Sequence, residues 1–104
     1  EYNVGNTPIY KIENRNIYLK MEKYNLNGSI KDRTAYFLIQ NLIEKNLIKE
    51  NTILVESTSG NLGISLDFFA KEIGVKFKAI IDKTIAKSKL KEFEKREIDY
   101  IYAP

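Results

Sequence analysis

The feature that most constrains the fold of this chain is the alternation of short apolar runs with longer amphipathic runs. Four short runs have the composition of strands, at residues 17–22, 52–56, 75–81 and 99–102. Three longer segments repeat apolar residues at helical spacing, at residues 30–46, 61–73 and 84–96. Strands that alternate with helices in this way predict the α/β class, with a parallel sheet, right-handed crossovers and helices on both faces.

The amino-acid composition excludes several kinds of chemistry. The 104 residues include no cysteine and no histidine, which removes disulfides, cysteine-based zinc sites, thiol nucleophiles and histidine bases. We therefore expect no metal site, and catalysis would depend on lysine, carboxylates, hydroxyls or a cofactor. Because no apolar run approaches the roughly 18 residues of a membrane-spanning helix, we expect no membrane partner.

The charged residues give little indication of a partner. Seventeen lysines and arginines stand against 14 acidic residues, for a net charge of +3. The basic cluster in residues 83–96 contains interspersed glutamates and no regular aromatic residues, so we do not expect nucleic-acid binding. The acidic residues have no paired spacing around a loop, and we interpret them as solvent-exposed; they include Glu13, Glu22, Glu44, Asp67 and Glu92.

Residues 27–33, with the sequence Asn-Gly-Ser-Ile-Lys-Asp-Arg, place a lysine in the first turn of the first predicted helix. Ser29 is a suitable N-cap, and Asp32 follows it at the spacing of a capping box. The helix dipole disfavours an ammonium group at this end and favours a neutral, nucleophilic amine at Lys31. A solvated lysine whose charge is offset by Asp32 would give the same pattern, and the spacing alone leaves both interpretations open.

A second segment, residues 56–63, runs from a predicted strand directly into the next helix with the sequence Glu-Ser-Thr-Ser-Gly-Asn-Leu-Gly. Backbone amides of such a turn, at the start of a helix, form a concave site suited to a carboxylate or phosphate. Ligands of parallel sheets bind beyond the carboxyl ends of the strands, which is where this loop lies. An ordinary strand-to-helix turn explains the segment about equally well.

Together these segments resemble a known family. Asn-x-x-Gly-Ser-x-Lys-Asp-Arg at residues 25–33 is followed by Thr-Ser-Gly-Asn-x-Gly at residues 58–63, and Val-Gly-Asn-Thr-Pro at residues 4–8 precedes both. This order is similar to that of the cysteine synthase and cystathionine β-synthase family, pyridoxal-phosphate enzymes of fold type II. The resemblance covers essentially the whole chain and implies the smaller, N-terminal domain of that fold.

The resemblance implies a role for each motif. Lys31 would form a Schiff base with the cofactor, pyridoxal 5'-phosphate, and would later move the Cα proton of the substrate. Asn61 would bind the ring hydroxyl of the cofactor. The substrate carboxylate would be held by the loop residues Thr58, Ser59, Gly60, Asn61 and Leu62. The implied reaction is β-elimination or β-replacement on an O-activated L-serine or on L-cysteine, in amino-acid biosynthesis or sulfur metabolism.

Two positions depart from the common pattern of the family. Leu62 stands where many O-acetylserine-using members have threonine, and Ser57 stands where proline is frequent. Leucine offers a carboxylate only its backbone amide, so the β-substituted amino acid stays open. Members with similar loops make 2,3-diaminopropionate from O-phosphoserine, or act on cysteine and release sulfide. A serine or threonine deaminase, or a threonine synthase, is a further alternative, although Gly-Ser-Ile-Lys-Asp-Arg at residues 28–33 favours the β-replacing branch.

The resemblance also implies an incomplete chain, because members of the family are much longer and bind the cofactor phosphate with a second, larger domain. We expect residues 1–22 to pack on that missing domain, and residues 23–104 to form the small domain with the lysine and the substrate loop. The complete enzyme is expected to be a cytoplasmic homodimer, and the fragment alone to be inactive. A truncated, non-catalytic α/β module is the alternative outside enzymology.

Overall fold

The computed structural model describes residues 4–104; residues 1–3, part of the predicted segment 1–22, lie outside the described residues. A small antiparallel sheet pairs β1 (Ile9–Lys11) with β2 (Tyr18–Lys20), and a 3₁₀ turn at Glu22–Tyr24 follows. The remaining elements alternate along the chain: α1 (Lys31–Glu44), β3 (Ile53–Ser57), α2 (Asn61–Glu72), β4 (Lys76–Ile81), α3 (Lys87–Lys95) and β5 (Asp99–Tyr102).

Three parallel strands form the main sheet, in the order β3-β4-β5. The predicted α/β class and parallel sheet are confirmed, but the strand predicted at residues 17–22 lies in the small antiparallel sheet and not in the parallel one. Helices α2 and α3 lie on the same face of the main sheet, because both contribute to the one cluster around its buried residues. On the opposite face, Ile53 and Val55 of β3 and Ile101 of β5 are about half exposed within the described part of the chain.

The core lies between the main sheet and the helices. Alternate residues of β4, Phe77, Ala79 and Ile81, are buried there, as expected of a strand with one covered face. They pack with apolar residues of the three helices and with one residue of the turn before β5, namely Ala35, Ile39, Ile64, Leu66, Phe69, Ala70, Phe93 and Ile98. Helix α1 packs mainly on α2, where the rings of Tyr36 and Phe69 meet edge to face with centroids 5.6 Å apart.

The ends of α2 follow the predicted signals. Gly74 has a φ of +75°, a left-handed conformation that glycine adopts without strain. Its amide donates to the carbonyl of Lys71, and the amide of Val75 donates to that of Ala70, so carbonyls of the last turn are satisfied. The predicted stop at Gly74 is confirmed, and β4 begins two residues later.

Candidate active site

Lys31 is the first residue of α1, and its side chain is exposed. The hydroxyl of Ser29 accepts a hydrogen bond from the Lys31 amide at 3.2 Å, but the N-cap of α1 is Ile30, so the prediction of Ser29 as N-cap is wrong. No hydrogen bond or ion pair holds the Lys31 ammonium within residues 4–104. The amine is therefore presented at the positive end of the helix dipole and remains accessible to a ligand.

Asp32 does not form the predicted capping box with Ser29. Its carboxylate is fully buried and turns instead to Asn27, from which it accepts one bond from the backbone amide and one from the side-chain amide, the latter at 2.8 Å. A buried carboxylate needs such donors, because desolvation without them would be costly. Asp32 therefore closes the loop of residues 27–32 rather than balancing the Lys31 charge.

A second polar network joins the chain start to α1. Arg33 donates to both carboxylate oxygens of Glu22, at 2.9 and 3.1 Å. Thr7 donates to Glu22 at 3.2 Å, and the side chain of Asn25 both donates to Glu22 and accepts from the amide of Gly5. The hydrogen bond from Arg33, assisted by those from Asn25 and Thr7, lowers the pKa of Glu22 to about 2, against an opposing effect of burial.

This network explains the glycine of the Val-Gly-Asn-Thr-Pro motif. Gly5 has a φ of +83°, and a Cβ there would lie 2.8 Å from Nη1 of Arg33. Two of the three motifs, residues 4–8 and 25–33, are thus in direct contact. Whether residues 1–22 also pack on a larger domain stays a prediction.

The loop of residues 57–63 is held by its own threonine. Oγ1 of Thr58 accepts hydrogen bonds from the amides of Gly60 and Gly63, each at 3.0 Å. The amide of Thr58 donates to the carbonyl of Ile80 on the neighbouring strand. Because a hydroxyl has two acceptor positions and one proton, both acceptor positions of Thr58 are occupied and its proton is left for another acceptor.

Three backbone amides of this loop have no hydrogen-bond acceptor in the described residues: those of Ser59, Asn61 and Leu62. They stand at the start of α2, directly after the carboxyl end of β3, where the helix dipole favours an anion. The amide of Gly60 is already used by Thr58. The structure thus offers a carboxylate three free amides and one hydroxyl proton, and Leu62 contributes only through its backbone.

Both glycines of the loop are required by close neighbours. A Cβ at Gly63 would lie 2.8 Å from Cγ2 of Thr58 and 2.9 Å from Cζ of Phe93, so the helix start is tightly packed. Gly60 has a φ of +144°, and a Cβ there would lie 2.8 Å from Cγ of Lys89. The aliphatic stem of a lysine from α3 therefore covers the loop from outside.

The predicted site residues fall into two groups. Residues 58–62 lie together on one loop, and Lys31 lies at the start of another helix of the same α1–α2 pair. No hydrogen bond joins Lys31 to that loop among residues 4–104. The two groups are separate contributions to a site, and their roles toward a cofactor and a substrate stay predictions.

The sequence interpretation missed two acidic residues. Glu22 and Asp67 were expected to be solvent-exposed, which is wrong for both: Glu22 is partly buried in the network with Arg33, and Asp67 is 5% exposed. Burial raises the pKa of Asp67, and the hydrogen bond from Lys71, at 2.8 Å in an i,i+4 pair, opposes that shift. The sequence does contain a signal for the ion pair of Asp67, because a lysine stands four positions after it in the same predicted helix.

Other kinds of site are not found. The chain has no histidine or cysteine. Among the described residues, no three or more acidic side chains lie close enough together to hold a metal ion. None of the described helices is both long enough and apolar enough to cross a membrane.

The fold and the two helix starts define a class: an α/β unit with an exposed lysine at one helix start and unpaired backbone amides at the other. The chain belongs to the family of pyridoxal-phosphate dependent enzymes, whose family model matches residues 1–96. The residues suit that cofactor, because the amine of Lys31 is free to react with an aldehyde and the side-chain amide of Asn61 stands at a helix start beside unpaired amide donors.

Solved structures of similar chains agree with this assignment. A hydrogen sulfide-producing enzyme from Fusobacterium nucleatum is 31% identical with a TM-score of 0.88, over 96% of this chain and 35% of that one. An O-acetylserine dependent cystathionine β-synthase from Helicobacter pylori is 28% identical with a TM-score of 0.86, over 97% and 36%. An O-ureido-L-serine synthase is 31% identical with a TM-score of 0.86, over 97% and 34%. The chain thus spans about a third of the length of these structures.

Proposed function

We propose that this chain supplies the reactive lysine and the substrate loop of an enzyme that eliminates or replaces the β-substituent of an O-activated L-serine or of L-cysteine. One observation carries the proposal: the amides of Ser59, Asn61 and Leu62 have no acceptor in the described residues, and with the hydroxyl of Thr58 they belong to five consecutive residues at the start of α2. A substrate carboxylate matches these donors in charge and in hydrogen-bonding capacity. The similarity to enzymes that act on serine derivatives or produce sulfide supports the same substrate class.

In this proposal Lys31 and Asn61 hold the cofactor. Lys31 would hold the cofactor at its aldehyde carbon through Nζ, and Asn61 would hold its ring hydroxyl through the side-chain amide. When bound, pyridoxal phosphate supplies an electron sink for the pair of electrons left at Cα. The phosphate group of the cofactor would be held by residues outside this chain.

The side chains then act on the substrate in a defined order. The amides of the loop fix the carboxylate, which orients the bond from Cα to its proton toward Lys31. Once the substrate amine has taken the place of Lys31 on the cofactor, the freed Nζ would accept this proton, and the β-substituent would leave with the electrons of its bond to Cβ. A nucleophile adds at Cβ in a replacement, and Lys31 returns the proton to Cα. Leu62 offers no hydroxyl to the substrate, so in this proposal other residues determine which β-substituent is accepted.

The finer assignments are also part of the proposal. A cysteine lyase that releases sulfide and a 2,3-diaminopropionate synthase-like enzyme use the same residues and differ in leaving group and nucleophile. The similarity to a sulfide-producing enzyme favours cysteine as the first substrate to test. A homodimer in the cytoplasm is the proposed state of the complete enzyme.

The experiment compares the complete enzyme with its variants Lys31→Ala and Lys45→Ala, each loaded with pyridoxal phosphate. Lys45 follows the end of α1 and is exposed, so it is a matched control for the loss of one charge. We expect Lys31→Ala to lose the visible absorbance of lysine-bound cofactor and at least about 10²-fold in rate, the scale of a lost proton-transfer residue. Lys45→Ala should retain both. Retained absorbance in Lys31→Ala would contradict the assignment.

Substrates then separate the branches. O-acetylserine, O-phosphoserine, cysteine and serine are supplied in turn, and acetate, phosphate, sulfide and pyruvate are measured. Release of 2-oxobutyrate from threonine, or of pyruvate from serine alone, would favour a deaminase. A protein that takes up no cofactor would support the non-catalytic module instead.

A further inference from the structure

A long-range hydrogen bond connects the end of α3 with the loop that precedes Lys31. Nη1 of Arg96 donates to Oδ1 of Asn27 at 2.9 Å, although the two residues are 69 positions apart. Arg96 itself is held from two sides. Its Nε donates to Glu92 at 2.6 Å, and its carbonyl accepts from Nζ of Lys71 at 2.7 Å. The guanidinium of Arg96 therefore contacts both Glu92 and Asn27, and its backbone carbonyl is held separately by Lys71.

Asn27 links Arg96 to the carboxylate of Asp32, the residue after Lys31. Its carbonyl oxygen accepts from the cation of Arg96, and its side-chain nitrogen donates to Oδ1 of Asp32 at 2.8 Å. Asp32 is fully buried and also accepts from the backbone amide of Asn27. The primary amide thus stands between a cation and a buried anion, each of which polarises it in the same direction.

Loss of the cation would weaken both bonds of this chain. The Asn27 amide would then be held only by Asp32, and the loop of residues 27–32 would lose its connection to α3. Lys31 lies within that loop and shares the first turn of α1 with Asp32. Side-chain bonds to charged groups are stronger than neutral ones, so this connection is a substantial part of what fixes the loop.

We propose that Arg96 is a positioning residue for the amine of Lys31 and acts through Asn27 and Asp32. The inference rests on the proposed function, since it assigns Arg96 a role in the reaction of Lys31 with the cofactor. A purely structural Arg96 would instead serve α3 alone, through its i,i+4 pair with Glu92.

The test measures how fast the complete enzyme, freed of cofactor, captures added pyridoxal phosphate on Lys31. At timed intervals borohydride reduces the bond between cofactor and lysine, which makes it permanent. Peptide masses then show which lysine carries the cofactor. The variants are Arg96→Met, Arg96→Lys and Asn27→Ala, with Glu92→Gln as the control that breaks only the other partner of Arg96. Urea unfolding of each variant shows whether it is folded.

We expect Arg96→Met and Asn27→Ala to slow capture by about tenfold, as for the loss of one charge-assisted hydrogen bond. Arg96→Lys should restore part of the rate, and Glu92→Gln should stay within about twofold of wild type because the pair is partly exposed and Arg96 keeps its bond to Asn27. The double variant Arg96→Met/Asn27→Ala should be no slower than the slower single variant, since both act through one path.

Two results would overturn the inference. One is an Arg96→Met capture rate equal to that of Glu92→Gln in folded protein; the other is a double variant whose slowing is the product of the single effects. If Arg96→Met does not fold, the Asn27→Ala rate decides in the same way. A wild-type enzyme that captures no cofactor on Lys31 would instead overturn the proposed function, and this inference with it.

Discussion

The two loops that precede α1 and α2 both present functional groups at a helix start, yet they are built differently. The loop of residues 57–63 is held largely by its own Thr58, which accepts from amides two and five positions further on. The loop of residues 27–32 has its own hydrogen bonds between Asn27 and Asp32 and is in addition connected to a distant element, because Arg96 donates to Asn27. The adjoining residues 22–25 and Arg33 form a second clamp on the chain start.

The difference separates two kinds of dependence. A loop closed by its own hydrogen bonds should respond only to changes within it or in direct contact with it, and that response should not vary with pH. A loop closed by charged partners from other elements should respond to distant substitutions and to the protonation of those partners. The predictions that follow separate these two behaviours.

The largest effect is expected for Thr58→Val. Valine keeps the shape of threonine and leaves the amides of Gly60 and Gly63 without their acceptor. The free energy of unfolding should fall by about 2–4 kcal/mol, as for two unsatisfied buried donors. Urea unfolding at several pH values measures this loss, which should be the same at each pH.

Thr58→Ser is the matched control, because it keeps the hydroxyl and removes only a methyl group. Its loss should be clearly smaller than that of the valine variant. Equal losses in the two variants would mean that the methyl packing, and not the hydroxyl, holds the loop.

The second effect concerns packing at the same helix start. Gly63→Ala would place a Cβ 2.8 Å from Cγ2 of Thr58 and 2.9 Å from Cζ of Phe93. Overpacking of this kind should lower the free energy of unfolding by about 1–3 kcal/mol. The double variant Gly63→Ala/Thr58→Ser should recover part of that loss, since serine lacks the methyl group that clashes. A fully additive double variant would contradict the tight contact.

The locally built parts of the molecule are also those that the sequence predicts well. The bounds of β5, the start of α2 and the stop at Gly74 follow from signals within a few residues, and all three appear in the structure. The start of α1 is predicted less exactly, because Ile30 and not Ser29 stands at the N-cap position. The sequence also predicts that Thr58, Gly60 and Gly63 belong to one turn. It does not predict that the amide of Gly60 donates to Thr58 and is therefore not available to a ligand.

The long-range contacts could not be predicted in the same way. Asp32 has the spacing of a capping box, but Asn27 offers its carboxylate two donors at once and the capping interaction is lost. Arg33 could pair with any of several acids, and only the folded chain places Glu22 beside it. Strand β1 is only three residues long and exposed, so it gives no periodic signal in the sequence. The contact of Arg96 with Asn27 gives none either, because it joins residues far apart in the chain.

The third prediction uses the pH dependence of the charged clamp. The pKa of Glu22 is lowered from 4.5 to about 2 by Arg33, with help from Asn25 and Thr7. Since the folded state binds the proton less well than the unfolded state, ionised Glu22 stabilises the fold above about pH 4.5. That contribution is lost as the pH falls from about 4.5 toward 2.

Glu22→Gln removes the charge and keeps the size of the side chain. Its unfolding free energy should lie below that of the wild type at pH 7, by less than for Thr58→Val because the pair is partly exposed. The difference between the two proteins should shrink when urea unfolding is repeated near pH 3. A difference that is equal at both pH values would show that the clamp acts by shape, and the contrast with the Thr58 loop would disappear.

The smallest effect is expected inside α2, behind the local loop. Ser65 is fully buried, and its hydroxyl has no hydrogen-bond partner in the described residues. Ser65→Ala removes an unsatisfied polar atom and adds helix propensity, so the free energy of unfolding should rise by about 1 kcal/mol. Ser88→Ala, at an exposed position of α3, gains only the propensity and should stabilise by no more than about 0.5 kcal/mol. A loss of stability in Ser65→Ala alone would mean that the hydroxyl binds a buried water.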